Sequence, residues 1–126
     1  MSDRQSARET LKRLIDAYNR KDRAALADLY AEDVMLWSSL GEDTSGRDSV
    51  LEHVQQLFTA LPDERMRADT VVTDGDTIVA EFTSSGTDVN EEPYEIQFTE
   101  VFELSAGQFK EIRIYIDPDV VEAISH

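Results

Sequence analysis

The sequence predicts an α+β domain, with helices gathered in the N-terminal half and a meander of strands after them. Three observations carry that expectation. Apolar residues recur at helical spacing up to Leu61. Beyond Met66 they alternate with a period of two. Tight-turn sequences, Asp74-Gly75-Asp76 and Ser105-Ala106-Gly107, separate the alternating runs.

The elements follow in order. Ser6-Ala7-Arg8-Glu9 reads as a capping box, and Leu11, Leu14, Ile15 and Tyr18 then form one apolar helix face, so a helix is expected over about 6–20. Asp22 can cap a short second helix over Ala24–Tyr30, with Leu26, Leu29 and Tyr30 inward. Val34–Ser38 is β-like. Ser45-Gly46-Arg47-Asp48 opens a third helix whose stripe is Val50, Val54, Leu57, Phe58 and Leu61, and Pro62 stops it. Met66–Val72 is the next strand. Ile78, Ala80, Phe82 and Ser84 alternate along the following one, and Gly86–Pro93 is a polar loop. Tyr94, Ile96, Phe98, Phe102 and Leu104 mark a long strand; Ile112, Ile114 and Ile116 mark the last, closed by Asp117-Pro118. Segregated helices and an antiparallel meander imply one curved sheet with helices laid across it, a cone whose open mouth is a natural pocket.

Composition narrows the classes of function. At 126 residues the chain makes one domain, and 40% hydrophobic with 31% charged residues is a globular balance. With 27 acidic against 12 basic residues the formal charge is −15, which repels nucleic acid and anionic membranes. No cysteine is present, which removes disulfides, thiolate nucleophiles and cysteine–zinc sites. Met1–Ser6 carries no apolar signal region and no run is long enough to span a bilayer, so a cytoplasmic location is expected. Two histidines without paired spacing point to no metal, and no glycine-rich phosphate loop appears.

This order of elements carries Tyr18-Asn19-Arg20-Lys21-Asp22, Leu29-Tyr30-Ala31-Glu32-Asp33-Val34 and Gly46-Arg47-Asp48. Later come Ser85-Gly86-Thr87 and Gly107-Gln108-Phe109-Lys110-Glu111-Ile112-Arg113, with Tyr115 and Asp117. Together they resemble the nuclear transport factor 2-like superfamily, and within it the SnoaL-like and ketosteroid-isomerase-like proteins. The resemblance spans nearly the whole chain. It implies a cone-shaped, mostly antiparallel sheet wrapped around N-terminal helices, and a homodimer formed through the sheet face. It does not fix an activity, because the superfamily holds isomerases, cyclases, hydratases, hydrolases and non-enzymatic binders.

Laid on this chain from Asp22 and Tyr30, the isomerase pattern puts the base at Ser38, the tyrosine at Leu14 and the buried acid at Glu100. Only the acid is kept in kind, so steroid isomerisation by that mechanism is not expected. The aspartate–arginine–aspartate set of limonene epoxide hydrolases would fall near Phe82, Ser84 and Ile114, and none is kept. Asp117 is the nearest match to the polyketide cyclases' aspartate, with parity opposite to Ile112, Ile114 and Ile116.

Glu100 is the sharpest candidate, since it keeps step with Phe98 and Phe102 and should face inward, where desolvation raises a carboxyl pKa. The alternative is a bulge turning it outward, or a structural acid. His53, at a helix position lining the pocket in the isomerases, is the candidate base; the alternative is a surface histidine. Tyr18 and Tyr30 are read as inward helix residues, packing the core or supporting the site. A Ser38–His53–Glu100 set lacks a nucleophile elbow. The expected ligand is a small, largely apolar molecule walled by Leu14, Tyr18, Tyr30, Ser38, Phe82, Phe98, Ile112, Ile114 and Ile116. Glu100 would serve as acid and His53 as base in cofactor-free proton transfer on a carbonyl compound. The alternative is a non-catalytic ligand-binding or dimerisation module, with Arg113, Tyr115 and Asp117 on the outer sheet face.

Overall fold

The computed structural model describes residues 3–41 and 43–125. In chain order it runs α1 (Asp3–Asn19), α2 (Arg23–Leu29), β1 (Tyr30–Ser38), β2 (Asp43–Ser45) and α3 (Arg47–Ala60). β3 (Arg65–Asp74), β4 (Thr77–Thr87), β5 (Pro93–Ser105), β6 (Gln108–Tyr115) and α4 (Pro118–Ser125) follow. The six strands form one sheet in the order β2-β1-β6-β5-β4-β3, and the two edge strands do not pair with each other, so the curl stays open. Only β1 and β6 run parallel; every other pairing is antiparallel. The expected α+β architecture is the one observed.

The core lies between the helices and one face of the sheet. Ile78, Ala80, Phe82 and Ser84 on β4, and Glu100, Phe102 and Leu104 on β5, all point into it, as strand alternation requires. Phe82, Phe102 and Phe109 are fully buried and touch in sequence, with ring centroids 6.2 Å and 5.2 Å apart. Each contributes roughly 1.5–3 kcal/mol of burial.

Several boundaries depart from the sequence reading. α1 begins by Asp3, so Ser6 lies inside the helix, where its carbonyl accepts the Thr10 hydroxyl, and is not a cap. Extending the helix buries Ala7 on the same face as Leu11 and Leu14. Asp22 does cap α2, accepting the Ala25 N–H at 3.0 Å. Tyr30 is no longer helical; it pairs with Phe109 as the first residue of β1. Leu51 is buried in the α3 stripe, whereas Leu57, near the helix end, stays exposed. β2 has three polar residues and no alternation to reveal it. β6 stops at Tyr115, and Ile116 bonds the Ser39 hydroxyl instead through both its N–H and its carbonyl. Asp117-Pro118, read as a strand stop, opens α4: the Asp117 carboxylate accepts the Asp119 N–H and Pro118 takes the first helical position.

Two backbone features position the interior. α1 ends in a left-handed residue, Lys21 (φ 57°), with Asp22 N–H bonded to the Ala17 carbonyl at 2.9 Å and Lys21 N–H to Tyr18 at 3.0 Å. Glycine is the usual occupant there; lysine accepts the strain and its ammonium donates to the Glu64 carbonyl at 2.5 Å. On β4, a Cβ at Gly86 would lie 2.9 Å from the Asp63 carboxylate and 3.2 Å from the Glu64 Cα, so glycine lets the strand pass close to the turn that presents Glu64.

Gly86→Ala should therefore destabilise the fold by about 1–3 kcal/mol through overpacking. Urea denaturation checks this; an unchanged midpoint would mean that the turn yields freely.

Candidate functional site

Inside the cone, polar groups converge from four elements. Glu64, in the turn before β3, is 8% exposed and accepts the Tyr18 hydroxyl of α1 at 2.5 Å on one carboxylate oxygen. The Ser84 hydroxyl of β4 donates to the other oxygen. Tyr94 of β5 reaches the Ser84 hydroxyl at 3.4 Å and is half-buried, linking the cluster toward the rim. The Lys21 ammonium lies 5.3 Å from the Tyr18 ring centroid and 5.0 Å from that of Phe58, which itself meets Tyr18 edge-on.

Glu100 stands on β5 between Ala80 of β4 and Ile114 of β6, also 8% exposed. Among the described residues no group hydrogen-bonds its carboxyl. Burial pushes its pKa from 4.5 to about 8, and repulsion from Glu64 adds to the shift. At neutral pH Glu100 is therefore mostly a protonated acid. Burial raises Tyr18 well above the ordinary tyrosine value, with Glu64 and then Glu100 contributing; Tyr30 rises through burial and the nearby Glu100. Both tyrosines thus remain hydroxyl donors. Lys21 is lowered by desolvation against the opposing pull of Glu64.

Tyr18 and Tyr30 lie within the electrostatic reach of Glu100. Leu14, Phe82 and Ile112 are buried in the core, while Phe98 and Ile114 are partly buried against it. Phe82 and Phe98 stack with centroids 5.5 Å apart, occupying space that the sequence reading left to a ligand. The Ser38 hydroxyl accepts the Leu40 N–H at 3.1 Å, a turn-forming bond at the end of β1. His53 is half-buried on α3, with no hydrogen bond to Glu100 among the described residues. Glu64 escaped the sequence reading because it follows Pro62-Asp63 in a short polar turn with no periodicity. The one pointer was Ser85-Gly86-Thr87, whose glycine marks close backbone approach.

Among the described residues, two surface cavities lie outside this cluster. One, of about 440 Å³, is lined by Glu81, Thr99, Tyr115 and Asp117, with Phe98 and Ile116 also contributing. The other, of about 430 Å³, lies between α1 and β3. Glu100 lines neither. Among the described residues there is no cluster of three or more metal-ligating side chains, and no helix is long and apolar enough to cross a membrane.

A curled, open sheet with N-terminal helices is the nuclear transport factor 2-like fold. Residues 11–112 match the SnoaL-like domain family, and the chain belongs to it. Solved structures agree at the level of fold. A protein assigned as a SnoaL-like polyketide cyclase from Jannaschia sp. CCS1 is 18% identical, with 98% of this chain and 94% of that one covered at a TM-score of 0.89. An NTF2-like protein of unknown function from Burkholderia pseudomallei K96243 is 22% identical, with full coverage of both chains and a TM-score of 0.85. An epoxide hydrolase of the LEH-like kind from M. tuberculosis is 14% identical, with 98% and 92% covered and a TM-score of 0.83. No curated protein matches the sequence.

Glu100 holds its proton more tightly folded than unfolded, so the stability it contributes is whole below about pH 4.5 and is lost as pH rises to about 8. Urea denaturation across that window should show stability falling with a slope approaching about 1.4 kcal/mol per pH unit from this group. Glu100→Gln should flatten the fall; identical profiles would contradict the burial of the acid.

Proposed function

We propose that the protein binds a small, largely apolar carbonyl compound inside the cone and moves a proton on it, as an isomerase, cyclase or dehydratase does. The observation that carries this reading is Glu100, a buried carboxyl with no hydrogen-bond partner among the described residues, within electrostatic reach of Glu64. Such an acid donates a hydrogen bond to an oxygen that gains negative charge, and the enclosed, low-dielectric setting strengthens that bond. Glu64, oriented by Tyr18 and Ser84, is suited to take the proton from the adjacent carbon. The C–H bond breaks, the proton passes to Glu64, and the electron pair moves toward the carbonyl oxygen, where the Glu100 hydroxyl meets it. Return of the proton to another carbon completes an isomerisation. The scheme requires no cofactor. Likeness of fold to a protein assigned as a SnoaL-like polyketide cyclase is in keeping with a small organic ligand.

A second reading, a non-catalytic dimerisation module, is favoured by the outer sheet face. There Trp37, Arg113, Val101, Val79 and Val72 form one row across five strands, and Trp37 packs on Tyr115 at 5.2 Å. Trp37, Val79 and Val72 are exposed, and such a row suits a second copy of the chain.

Hydrogen–deuterium exchange at the α-carbon of 2-tetralone, followed by proton NMR, separates the two readings. Acceleration over buffer is expected, with Glu64→Gln losing roughly 100-fold or more and Glu100→Leu also impaired. If His53→Ala abolishes exchange and Glu64→Gln does not, the base is His53. Exchange at the buffer rate for the wild type would overturn proton transfer and leave the association module.

A further inference from the structure

The cavity between α1 and β3 has a chemistry at odds with the rest of the chain. Among the described residues nine line its volume of about 430 Å³, and none of them is acidic although the chain carries 27 acids. Three are basic: Arg8 and Lys12 on α1 and Arg67 on β3. Its apolar wall is formed by Leu11 and Ile15 from the helix and Val71 from the strand. The Arg8 guanidinium donates to the Val71 carbonyl at 3.0 Å, which holds it across the groove. Asn19 closes one end, bonding the Met66 N–H at 2.7 Å and the Met66 carbonyl at 2.8 Å. Arg67 is paired with Asp69 at 2.9 Å, whereas Lys12 has no carboxylate partner among the described residues.

We propose that this groove binds an amphipathic carboxylate, with its apolar body along Leu11, Ile15 and Val71 and its anionic head at Lys12 and Arg8. These two cations, unlike Arg67, have no carboxylate partner among the described residues, so with the apolar wall they complement that ligand in both charge and solvation, and their long stems extend the apolar surface. A neutral ligand of the same body would leave the cationic rim unused, and the −15 net charge disfavours carboxylates elsewhere on the surface. The site is separate from the Glu64–Glu100 cluster and stands whether or not that cluster catalyses.

Titration of the wild-type protein with dodecanoate, read by calorimetry and by amide chemical shifts, tests the proposal. Saturable binding below about 1 mM is expected, with shifts at Lys12, Ile15 and Val71. Dodecanol should bind at least about tenfold more weakly, as should dodecanoate to Lys12→Glu. Lys12 is exposed, so that variant should keep the wild-type fold, which its amide spectrum checks; Lys12→Gln, with an intermediate loss, serves if it does not. Equal affinity for dodecanol, shifts confined to the cone around Phe98 and Ile114, or no saturation in that range would each overturn the assignment.

Discussion

Eleven consecutive residue pairs lock β4 to β5, from Thr77 opposite Glu103 to Thr87 opposite Pro93. That register places Ala80 against Glu100 and puts Ile78, Phe82, Phe102 and Leu104 on the same inner face. A slip by one residue would turn the whole apolar row to water. Glu100 therefore cannot leave the core alone; an ionisable side chain is held inside by the hydrophobic gain of its neighbours. Its protonation follows from that confinement.

The second carboxyl raises the stakes. Glu64 enters the same interior from a different element, admitted by the missing side chain at Gly86 and fastened by Tyr18, Ser84 and Lys21. Repulsion from Glu64 adds to the burial that raises the Glu100 carboxyl. Glu64 has two hydroxyl donors, while Glu100 has apolar neighbours and no donor among the described residues. This asymmetry gives the cluster one acceptor and one acid from the same residue type. The outer sheet face and the basic groove lie apart from it.

Much of the fold was legible because burial leaves a periodic trace. The inward face of β4 and β5, Glu100 included, follows from alternation alone, and Asp22 is a cap that its own spacing announces. Features that depend on contact across the chain left no such trace. Glu64 sits in a short turn, and its partners are 46 and 20 residues away in sequence. β2 consists of Asp43, Thr44 and Ser45, paired only because β1 extends past them. Asp117-Pro118 carried both a stop and a start signal, and the helix it opens was read as an end. The pocket wall was the least readable part, because alternation shows that Phe82 and Phe98 face inward but not that they stack on each other.

At physiological pH Glu100 is a neutral acid inside the cone. Carbon NMR of the glutamate side chains, titrated from pH 4 to pH 10 with Glu100→Gln to assign the signal, tests it most directly. The structure predicts a Glu100 midpoint near 8. A midpoint in the ordinary carboxylate range near 4.5 would contradict it and remove the acid from the site.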